Sequence, residues 1–477
     1  MPIDRRTFLR RGAGAAIGAA ACAGPFQGFL AAGAAPLDRD RSHGGLGPLG
    51  PVPDARDGVV RLHLPQGFSY RSFSLTGEPM SDGTPTPGRH DGMAAFPGRR
   101  GGTVLIRNQE VNGPVGAFGD PALAYDPAAG GGTTTLVVSP TGELRHIAPS
   151  LTGTQMNCAG GPTPWRSWIT CEETVNGPDV GNDFTGQDNT LLTRPHGYLF
   201  EVPVDGQPTR EPIRSAGRFA HEAVSVDPHS GVLYLTEDNF GFASGFYRYR
   251  PPVDPRWARR VTDGGVLEML AVRGRPNADL SVGQAPGATY DVEWVRIDDP
   301  DPTFTGIPTN DEAIQAVGNQ GRAAGGAIFS RLEGTTASHG RIYFVSTQGG
   351  ATAAGDEPPA GFGDGRGQVW ALEPRARRLT LVYESPAAAT LDLPDNVTAG
   401  RWGSLVLCED GTNDNYLRGL TPHGALFDVA LNRIAGREGE EFAGATFSPR
   451  HRTLFVNIQA SQALTFAISG PWHRGGF

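Results

Sequence analysis

The sequence predicts an all-β protein, a six-bladed β-propeller with a long insertion between two blades and few short helices. The 477 residues include 68 Gly and 40 Pro but only 8% aromatic residues, a composition rich in turns and poor in helix. A short apolar strand that ends in polar side chains also recurs six times. We therefore expect residues 35–477 to form a single propeller domain, with a sandwich of two sheets as the alternative.

The N-terminus predicts an export signal that is not part of the fold. The pair Arg5-Arg6 precedes a weakly apolar Ala/Gly stretch over residues 12–35, and residues 32–34 fit a cleavage site. Gly, Pro and Gln interrupt this stretch, so it lacks the roughly 20 apolar residues of a membrane-spanning helix. We expect residues 1–34 to engage the twin-arginine export machinery. The mature protein would then be secreted or periplasmic, with no stable membrane span.

The charge balance indicates which partners the protein can have. The chain carries a formal net charge of −9, and the predicted signal contains four Arg and only one Asp, so its removal makes the protein more acidic. An acidic surface argues against nucleic acid as the partner. Cations and a small-molecule substrate fit better, and we expect a monomer.

Three cysteines remain after the predicted cleavage: Cys158, Cys171 and Cys408. An odd number in an export compartment leaves at least one thiol unpaired. Cys171 directly precedes two carboxylates, which favours a thiolate metal ligand. Bridges from Cys158 to Cys171 or to Cys408 are the alternative, and Cys408 is expected to be an apolar strand residue.

The recurring strand defines the predicted blades. The gap between the third and fourth copies, over about residues 252–320, predicts an insertion with an acidic loop at 298–302 and a short helix near 312–317. Each copy is followed by a second strand, as in antiparallel blades. The six copies lie at residues 104–110, 168–173, 233–238, 342–348, 405–410 and 454–459.

Three of the six copies end in a pair of carboxylates. The inner strands of a propeller line one channel, so residues at equivalent strand ends converge although they are far apart in the chain. Calcium takes 6 to 8 oxygen ligands, and a thiolate among carboxylates indicates a transition metal such as iron. The sequence therefore predicts a metal site in the channel. The pairs are Glu172-Glu173, Glu237-Asp238 and Glu409-Asp410.

Several segments form a pattern that is specific to one family. They are residues 157–165, 170–173, 218–222, 331–334, 441–444 and 454–459. Together they resemble the PhoX-type alkaline phosphatases over essentially the whole mature chain. The resemblance implies a six-bladed propeller that holds an iron and calcium cluster (Fe³⁺ and Ca²⁺) in its channel and hydrolyses phosphate monoesters.

The resemblance also implies roles for individual residues. Cys171 would bind iron, and Glu222 and Glu333 would bind or bridge iron and calcium at the catalytic centre. Arg331 would clamp the phosphate, with the holding of a structural carboxylate as the alternative. Clustered cations and a bidentate Arg suit this chemistry because both neutralise charge on the phosphoryl oxygens.

The resemblance also implies roles for further residues around this centre. Asn157 and His221 would contact the substrate, with packing as the alternative for His221. For each acid the alternative is to cap loop amides or to pair with an Arg. The further metal ligands would be Glu172, Glu173, Glu237, Asp238, Glu409, Asp410 and Glu441.

Two departures from the family pattern predict an altered substrate preference or weak activity. Thr163 stands where the clearest members have a Lys, and Gln109 replaces a His in an Arg-Asn-His-Glu motif. Two other functions remain open: a metal-dependent hydrolase of another ester (a phosphodiester, a phytate-like substrate or a lactone), and a non-catalytic calcium-binding propeller of the cell envelope. The second would need neither Arg331 nor the thiolate.

Overall fold

The computed structural model describes residues 45–352 and 355–477, so the predicted signal at 1–34 lies outside the described residues. The described chain is all-β with few helices, and its antiparallel sheets have a propeller-like arrangement. No helix in these two ranges is both long and apolar enough to cross a membrane.

The strands of the first half of the chain are β1 (Leu49–Pro53), β2 (Val60–Pro65), β3 (Ser69–Phe73), β4 (His90–Pro97), β5 (Thr103–Gln109), β6 (Gly131–Val138), β7 (Leu144–Thr154), β8 (Asn157–Pro162), β9 (Ser167–Glu172), β10 (Leu199–Pro203), β11 (His221–Val226), β12 (Leu233–Glu237), β13 (Ala243–Ser244) and β14 (Phe246–Arg250). Those of the second half are β15 (Val266–Val272), β16 (Thr289–Arg296), β17 (Phe329–Ser330), β18 (Leu332–Ser338), β19 (Arg341–Ser346), β20 (Gln368–Glu373), β21 (Arg378–Glu384), β22 (Pro394–Ala399), β23 (Leu405–Glu409), β24 (Tyr416–Leu420), β25 (Leu426–Asn432), β26 (Phe442–Phe447), β27 (Thr453–Ile458) and β28 (Leu464–Ser469). The helices are α1 (Pro255–Ala258), α2 (Asn310–Ile314) and α3 (Ala316–Ala323).

The larger sheets are built from antiparallel meanders. Two have four strands, β4-β5-β6-β7 and β26-β27-β28-β3, and one has three, β8-β9-β10. The six-stranded sheet has the order β1-β2-β25-β24-β23-β22, and the nine-stranded sheet the order β11-β12-β14-β15-β16-β21-β20-β19-β18. Strand β3 pairs with the C-terminal strand β28, with Tyr70 opposite Ile468, so the two ends of the described chain close one sheet.

The described strands do not form one separate sheet for each of the six expected blades. Strand β16 pairs with both β15 and β21, which merges two meanders into the nine-stranded sheet. Strands β1 and β2 extend another meander through the pairing of β2 with β25. The propeller-like arrangement agrees with the prediction, whereas the sheet boundaries differ because edge strands pair across the gaps between meanders.

The first strands of the meanders form a closed ring of contacts around a channel. The order is β4, β8, β11, β18, β22 and β26, and β26 then contacts β4 again. Glycines allow this close approach: a Cβ on Gly161 would lie 1.7 Å from the carbonyl oxygen of Val224, and one on Gly444 would lie 2.4 Å from that of Asp91. Apolar side chains such as Ile169, Val224 and Leu235 fill the layers between neighbouring sheets.

The predicted insertion contributes both strands and helices. Strands β15 and β16 extend the nine-stranded sheet, and the expected short helix is realised as α2 and α3, which meet at Gln315. Helix α2 begins at a capping box, in which Thr309 and Glu312 each bond the other residue's backbone amide.

Candidate metal centre

In each meander the two inner strands pair at one repeated register, and the residues that directly follow this pair on the two strands lie at the channel. The cross-strand pairs His90–Gln109, Asn157–Glu172, His221–Glu237, Leu332–Ser346, Pro394–Glu409 and Phe442–Ile458 are equivalent. The residues that follow them on the first strands are Asp91, Cys158, Glu222, Glu333, Asp395 and Ala443. Those that follow on the second strands are Glu110, Glu173, Asp238, Thr347, Asp410 and Gln459.

Local backbone irregularity accompanies these positions. The register shifts in every one of the six first strands, in five of them directly after the equivalent pair. A β-bulge bends the strand and redirects a side chain. Four first strands also follow a residue with left-handed backbone: Arg89 (φ 53°), Met156 (φ 42°), Arg331 (φ 40°) and Leu393 (φ 51°). Such conformations cost free energy and are concentrated at functional sites.

The channel mouth contains a strongly acidic cavity of about 120 Å³. Among the described residues that line it are nine carboxylates and one thiol, but only two cationic side chains, Arg89 and Arg331. This imbalance in a buried place is costly unless cations are present. The anionic and thiol groups are Asp91, Glu110, Cys158, Glu173, Glu222, Glu333, Asp395, Asp410, Glu440 and Glu441.

Two groups of three residues lie close enough to share an ion. One ligand atom from each of Cys158, Glu173 and Glu222 lies within 4.8 Å of the others, and the same holds for Glu222, Glu333 and Asp395. Glu222 belongs to both groups. Carboxylate oxygens suit a hard cation such as calcium, and a sulfur atom beside them suits a transition metal.

The pKa values of three carboxyl groups in this cavity are raised, as expected where buried carboxylates lie close together without a cation between them. Burial, and then the charge of Glu333, raises the pKa of Glu222 well above its ordinary value. Burial and Glu110 do the same for the pKa of Asp91, and burial and Asp410 raise the pKa of Asp395 to about 7. One oxygen of Asp91, Oδ1, is buried without a hydrogen-bond partner. A bound cation would satisfy this oxygen and reverse the shifts.

Arg331 is held at the edge of the cavity by two acids. Its Nε and Nη2 atoms donate to the Asp238 carboxylate at 3.1 and 2.8 Å, and Nη2 also donates to Glu333 Oε1 at 2.7 Å. Its guanidinium lies 5.3 Å from the centre of the Phe240 ring. The guanidinium is therefore oriented before any ligand arrives, which reduces the entropy lost on binding.

The predicted acidic pairs are divided between two environments. Side chains alternate along a strand, so the two members of each pair point in different directions. The second members, Glu173, Asp238 and Asp410, lie at the channel, where Glu173 and Asp410 line the cavity and Asp238 holds Arg331. Glu222, Glu333 and Glu441, which the resemblance implies as metal ligands, also line the cavity.

Glu172, a first member, is engaged below the cavity. Its carboxylate accepts hydrogen bonds from the backbone amides of Gln155 (2.9 Å), Gly197 (2.8 Å) and Tyr198 (3.1 Å), and it lies 2.6 Å from His196 Nδ1. These contacts join loops of neighbouring segments. The structure thus gives Glu172 a structural environment, apart from the cavity acids.

The other two first members lie in similar environments. Glu237 accepts from the Gly245 amide at 2.8 Å and from the Tyr247 hydroxyl at 2.9 Å, and burial raises its pKa to about 7. Glu409 accepts from Arg418 Nε at 2.8 Å. Each of the two carboxylates holds the strand that follows its own loop, and neither lines the cavity.

The thiols are also placed differently from the expectation. Cys171 is fully buried in an apolar cluster with Ile169 and Leu199, whereas Cys158 lines the cavity. Cys171 belongs to neither group of candidate ligands, because its side chain faces the layer between sheets. Cys158, Cys171 and Cys408 are all free thiols, so the alternative of a disulfide bridge is wrong. Cys408 is an apolar strand residue, as expected.

Asn157 and His221, the expected substrate contacts, are buried beside the cavity and do not line it. Asn157 Nδ2 donates to Thr170 Oγ1 at 2.9 Å. His221 Nε2 lies 2.9 Å from the Gly217 carbonyl oxygen, its ring lies 3.6 Å from that of Phe219, and burial lowers its pKa to about 3. A neutral, packed imidazole agrees with the packing alternative for His221.

Neither departure from the family pattern lies at the cavity. Thr163 occupies the turn between β8 and β9, where its hydroxyl lies 2.8 Å from that of Ser167. Gln109 is buried and donates to Thr134 Oγ1 at 2.9 Å. Neither Thr163 nor Gln109 lines the cavity, and the expected change in substrate preference or activity stays a prediction.

Sequence reasoning missed several residues of the cavity. Arg89 repeats the position of Arg331: its Nη2 donates to Glu110 Oε2 at 2.7 Å and to Gln459 Oε1 at 3.3 Å. The signal was present in the sequence, because residues 89–92 (Arg-His-Asp-Gly) repeat the pattern of residues 331–334 (Arg-Leu-Glu-Gly). The other missed residues are Asp91, Glu110, Cys158, Asp395 and Gln459.

The fold and the cavity together define a propeller-like protein with a buried acidic centre suited to metal ions. Comparison with known families identifies the group more closely. A family model described as alkaline phosphatase PhoX matches residues 47–150 and 143–462. The chain therefore belongs to the alkaline phosphatase PhoX family, which is metal-dependent.

Comparison with solved structures supports the fold. Pseudomonas fluorescens PhoX in complex with vanadate, a transition state analogue, superposes with a TM-score of 0.60 at 17% sequence identity, covering 91% of this chain and 99% of that one. A streptogramin B lyase (TM-score 0.39, 12% identity, 84% and 98% covered) and a gluconolactonase from Xanthomonas campestris (0.40, 13%, 88% and 98%) are too distant to support an argument. No curated protein matched the chain.

Proposed function

We propose that this protein is an exported, metal-dependent phosphatase that hydrolyses phosphate monoesters. The observation that carries the proposal is the cavity at the channel mouth, where nine carboxylates and a thiol surround a pre-oriented arginine in a chain of the PhoX family. A binding module that only held calcium would have no use for an arginine fixed by two carboxylates. We also propose that the ring of six first strands organises the sheets as six blades.

The donor set fits iron (Fe³⁺) and calcium (Ca²⁺). Cys158, Glu173 and Glu222 would hold iron, since they include the one thiol of the cavity. Glu333 and Asp395 would supply oxygen ligands for calcium, and Glu222 belongs to both candidate sets. When bound, these cations supply the positive charge that offsets the charge of a phosphoryl group in transfer.

Arg331 would bind the phosphate of the substrate. Its planar guanidinium can donate to two phosphoryl oxygens, and Asp238 and Glu333 fix the direction in which it points. In the reaction a water oxygen forms a bond to phosphorus and the bond from phosphorus to the ester oxygen breaks. The attacking water loses one proton and the departing ester oxygen gains one, so the alcohol leaves in neutral form. Arg89, held by Glu110 on the opposite part of the cavity wall, adds a second positive charge.

Metal analysis combined with an ester panel tests the proposal. The protein would be exported from a host with twin-arginine transport, its iron and calcium measured, and its activity assayed on a phosphomonoester, a phosphodiester and a lactone. We expect both metals, and hydrolysis of the phosphomonoester that is lost on chelation. Absence of both metals would refute the centre, and hydrolysis of the lactone or diester alone would refute the substrate class.

A further inference from the structure

A second and larger cavity opens beside the metal centre. It measures about 490 Å³ and shares Glu173 and Phe240 with the wall of the first cavity. Asp238, which holds Arg331, also lines it. A ligand whose phosphate lies at Arg331 would therefore have its remaining atoms at the entrance to this space.

We propose that this second cavity, here called the leaving-group cavity, binds the organic part of the phosphomonoester and selects an uncharged, ring-containing group. This inference rests on the proposed function and names its substrate class. The volume lies within the range of about 300–1,000 Å³ that is typical of small-molecule sites.

The lining of the leaving-group cavity suits a ring. Met156, Phe184, Phe240, Phe242 and Ile314 provide apolar and aromatic surface from separate segments of the chain. Aromatic side chains favour stacked or edge-to-face contact with a second ring. Asn182 and Asn310 add amide groups that can bond hydroxyl or ring heteroatoms.

The insertion forms one wall of this cavity. The segment that leads into α2 is fixed to the 175–184 loop by a 2.8 Å hydrogen bond from the Gly181 amide to the Pro308 carbonyl, and by one from Asn310 Nδ2 to Asn176 Oδ1 at 3.1 Å. Val180 and Ala313 pack beneath them. The wall is thus a fixed part of the fold, and its residues belong to the insertion between the third and fourth copies of the repeated strand.

The charges around the leaving-group cavity exclude anionic groups. Glu173, Asp183, Asp238 and Asp311 line it, whereas neither Lys nor Arg occurs among its described lining residues. A second phosphate on the substrate would lie among these carboxylates and be repelled. The cavity therefore fits an aryl, arylalkyl or nucleoside monophosphate better than a polyphosphate.

Matched alkyl esters test the inference. We would compare kcat/KM for 2-phenylethyl phosphate and ethyl phosphate, which differ in the ring but are both primary alkyl esters. Phe184→Ala and Phe242→Ala are each expected to lower kcat/KM for the phenylethyl ester about tenfold, because each removes one buried ring contact. Each should leave kcat/KM for ethyl phosphate within about twofold of the wild-type value. Phe427→Ala, on the outer strand β25, serves as the control and should leave the ratio unchanged.

Charge selection is tested with nucleotides. The wild-type protein should prefer a nucleoside 5′-monophosphate to the triphosphate, and Asp311→Lys should reduce that preference about threefold to fivefold, the effect of one exposed charge.

The outcomes separate this inference from the proposed function. Equal loss on both alkyl esters in the Phe variants, or a wild-type protein that ignores the ring, would overturn the leaving-group cavity while the phosphatase activity stands. A wild-type, metal-loaded protein that hydrolyses none of these monoesters would refute the proposed function and this inference with it.

Discussion

Substitution of Cys158 and of Cys171, one at a time, tests the assignment of the metal centre most directly. Cys158→Ala removes the sulfur that lies within 4.8 Å of the Glu173 and Glu222 carboxylates, whereas Cys171→Ala removes a sulfur from the apolar layer between sheets. Both residues are almost fully buried, at 4% and 0% exposure, so the pair is matched in size and burial.

The two substitutions should change different quantities: Cys158→Ala the affinity for iron, and Cys171→Ala the free energy of unfolding. The ligand atoms lie within 4.8 Å of one another, so two negative charges there repel by at least about 3.5 kcal/mol at an effective dielectric constant of 20. Burial and Glu222 accordingly raise the pKa of the Cys158 thiol well above its ordinary value, so a thiolate forms there only with a cation. Loss of a ligand should weaken iron binding by more than about 100-fold, the upper effect of removing a supporting partner. Cys171→Ala should instead lower the free energy of unfolding by about 1–2 kcal/mol, as for a small cavity.

The assay measures three quantities on each purified variant. Iron content by mass spectrometry, the visible absorption of a thiolate–iron bond, and turnover of a chromogenic phosphomonoester should all be lost in Cys158→Ala and kept in Cys171→Ala. Thermal unfolding shows that each variant is folded. Retention of iron and its absorption in Cys158→Ala, or their loss in a folded Cys171→Ala, would refute the assignment.

Three further predictions follow from the same geometry. Arg331→Ala should keep both metals and lower kcat/KM for a phosphomonoester by about 100-fold or more, as expected for a lost charged contact of about 3 kcal/mol; loss of metals would contradict its role. Asp395→Asn should lose calcium whereas Glu409→Gln, whose carboxylate does not line the cavity, should keep it, as metal analysis of the two variants would reveal. The folded-state pKa of Asp395, about 7, lies above its ordinary value of 3.8, so its contribution to the stability of the metal-free protein should be full below pH 3.8 and should be lost as the pH rises from there through 7. Calcium should abolish that loss in denaturant titrations, and a metal-free protein that becomes more stable over this range would contradict the reasoning.

Much of the fold was predictable because the strand pattern is local. Alternation of apolar residues and Gly-rich turns identified the six recurring strands, and the structure contains strands at each of these places. The merging of two meanders through β16 was not predictable, because pairing between edge strands depends on their spacing in three dimensions. The position of the insertion beside the acidic cavity was not predictable for the same reason, although a short helix within it was expected.

The sequence identified part of the cavity lining, and the differences between the expected residues and the observed lining have one physical cause. The resemblance implied Glu173, Glu222, Glu333 and Glu441 as metal ligands, and all four line the cavity. Of the two thiols the sequence favoured Cys171, whereas Cys158 is the one that lines the cavity. A shift of one residue along a strand moves a side chain to the opposite face, and the bulges displace the register further.

The sequence by itself determined the strand repeat, the family resemblance and the surplus of acids at strand ends. Only the tertiary structure decided which acid of each pair reaches the channel, since alternation directs Glu172, Glu237 and Glu409 to hold loops and their successors to face the channel. It also placed Cys158, Asp91 and Asp395 in the wall of the cavity. The reason is that a channel site is formed by strand ends distant in the chain, and their convergence is a property of the closed ring of sheets.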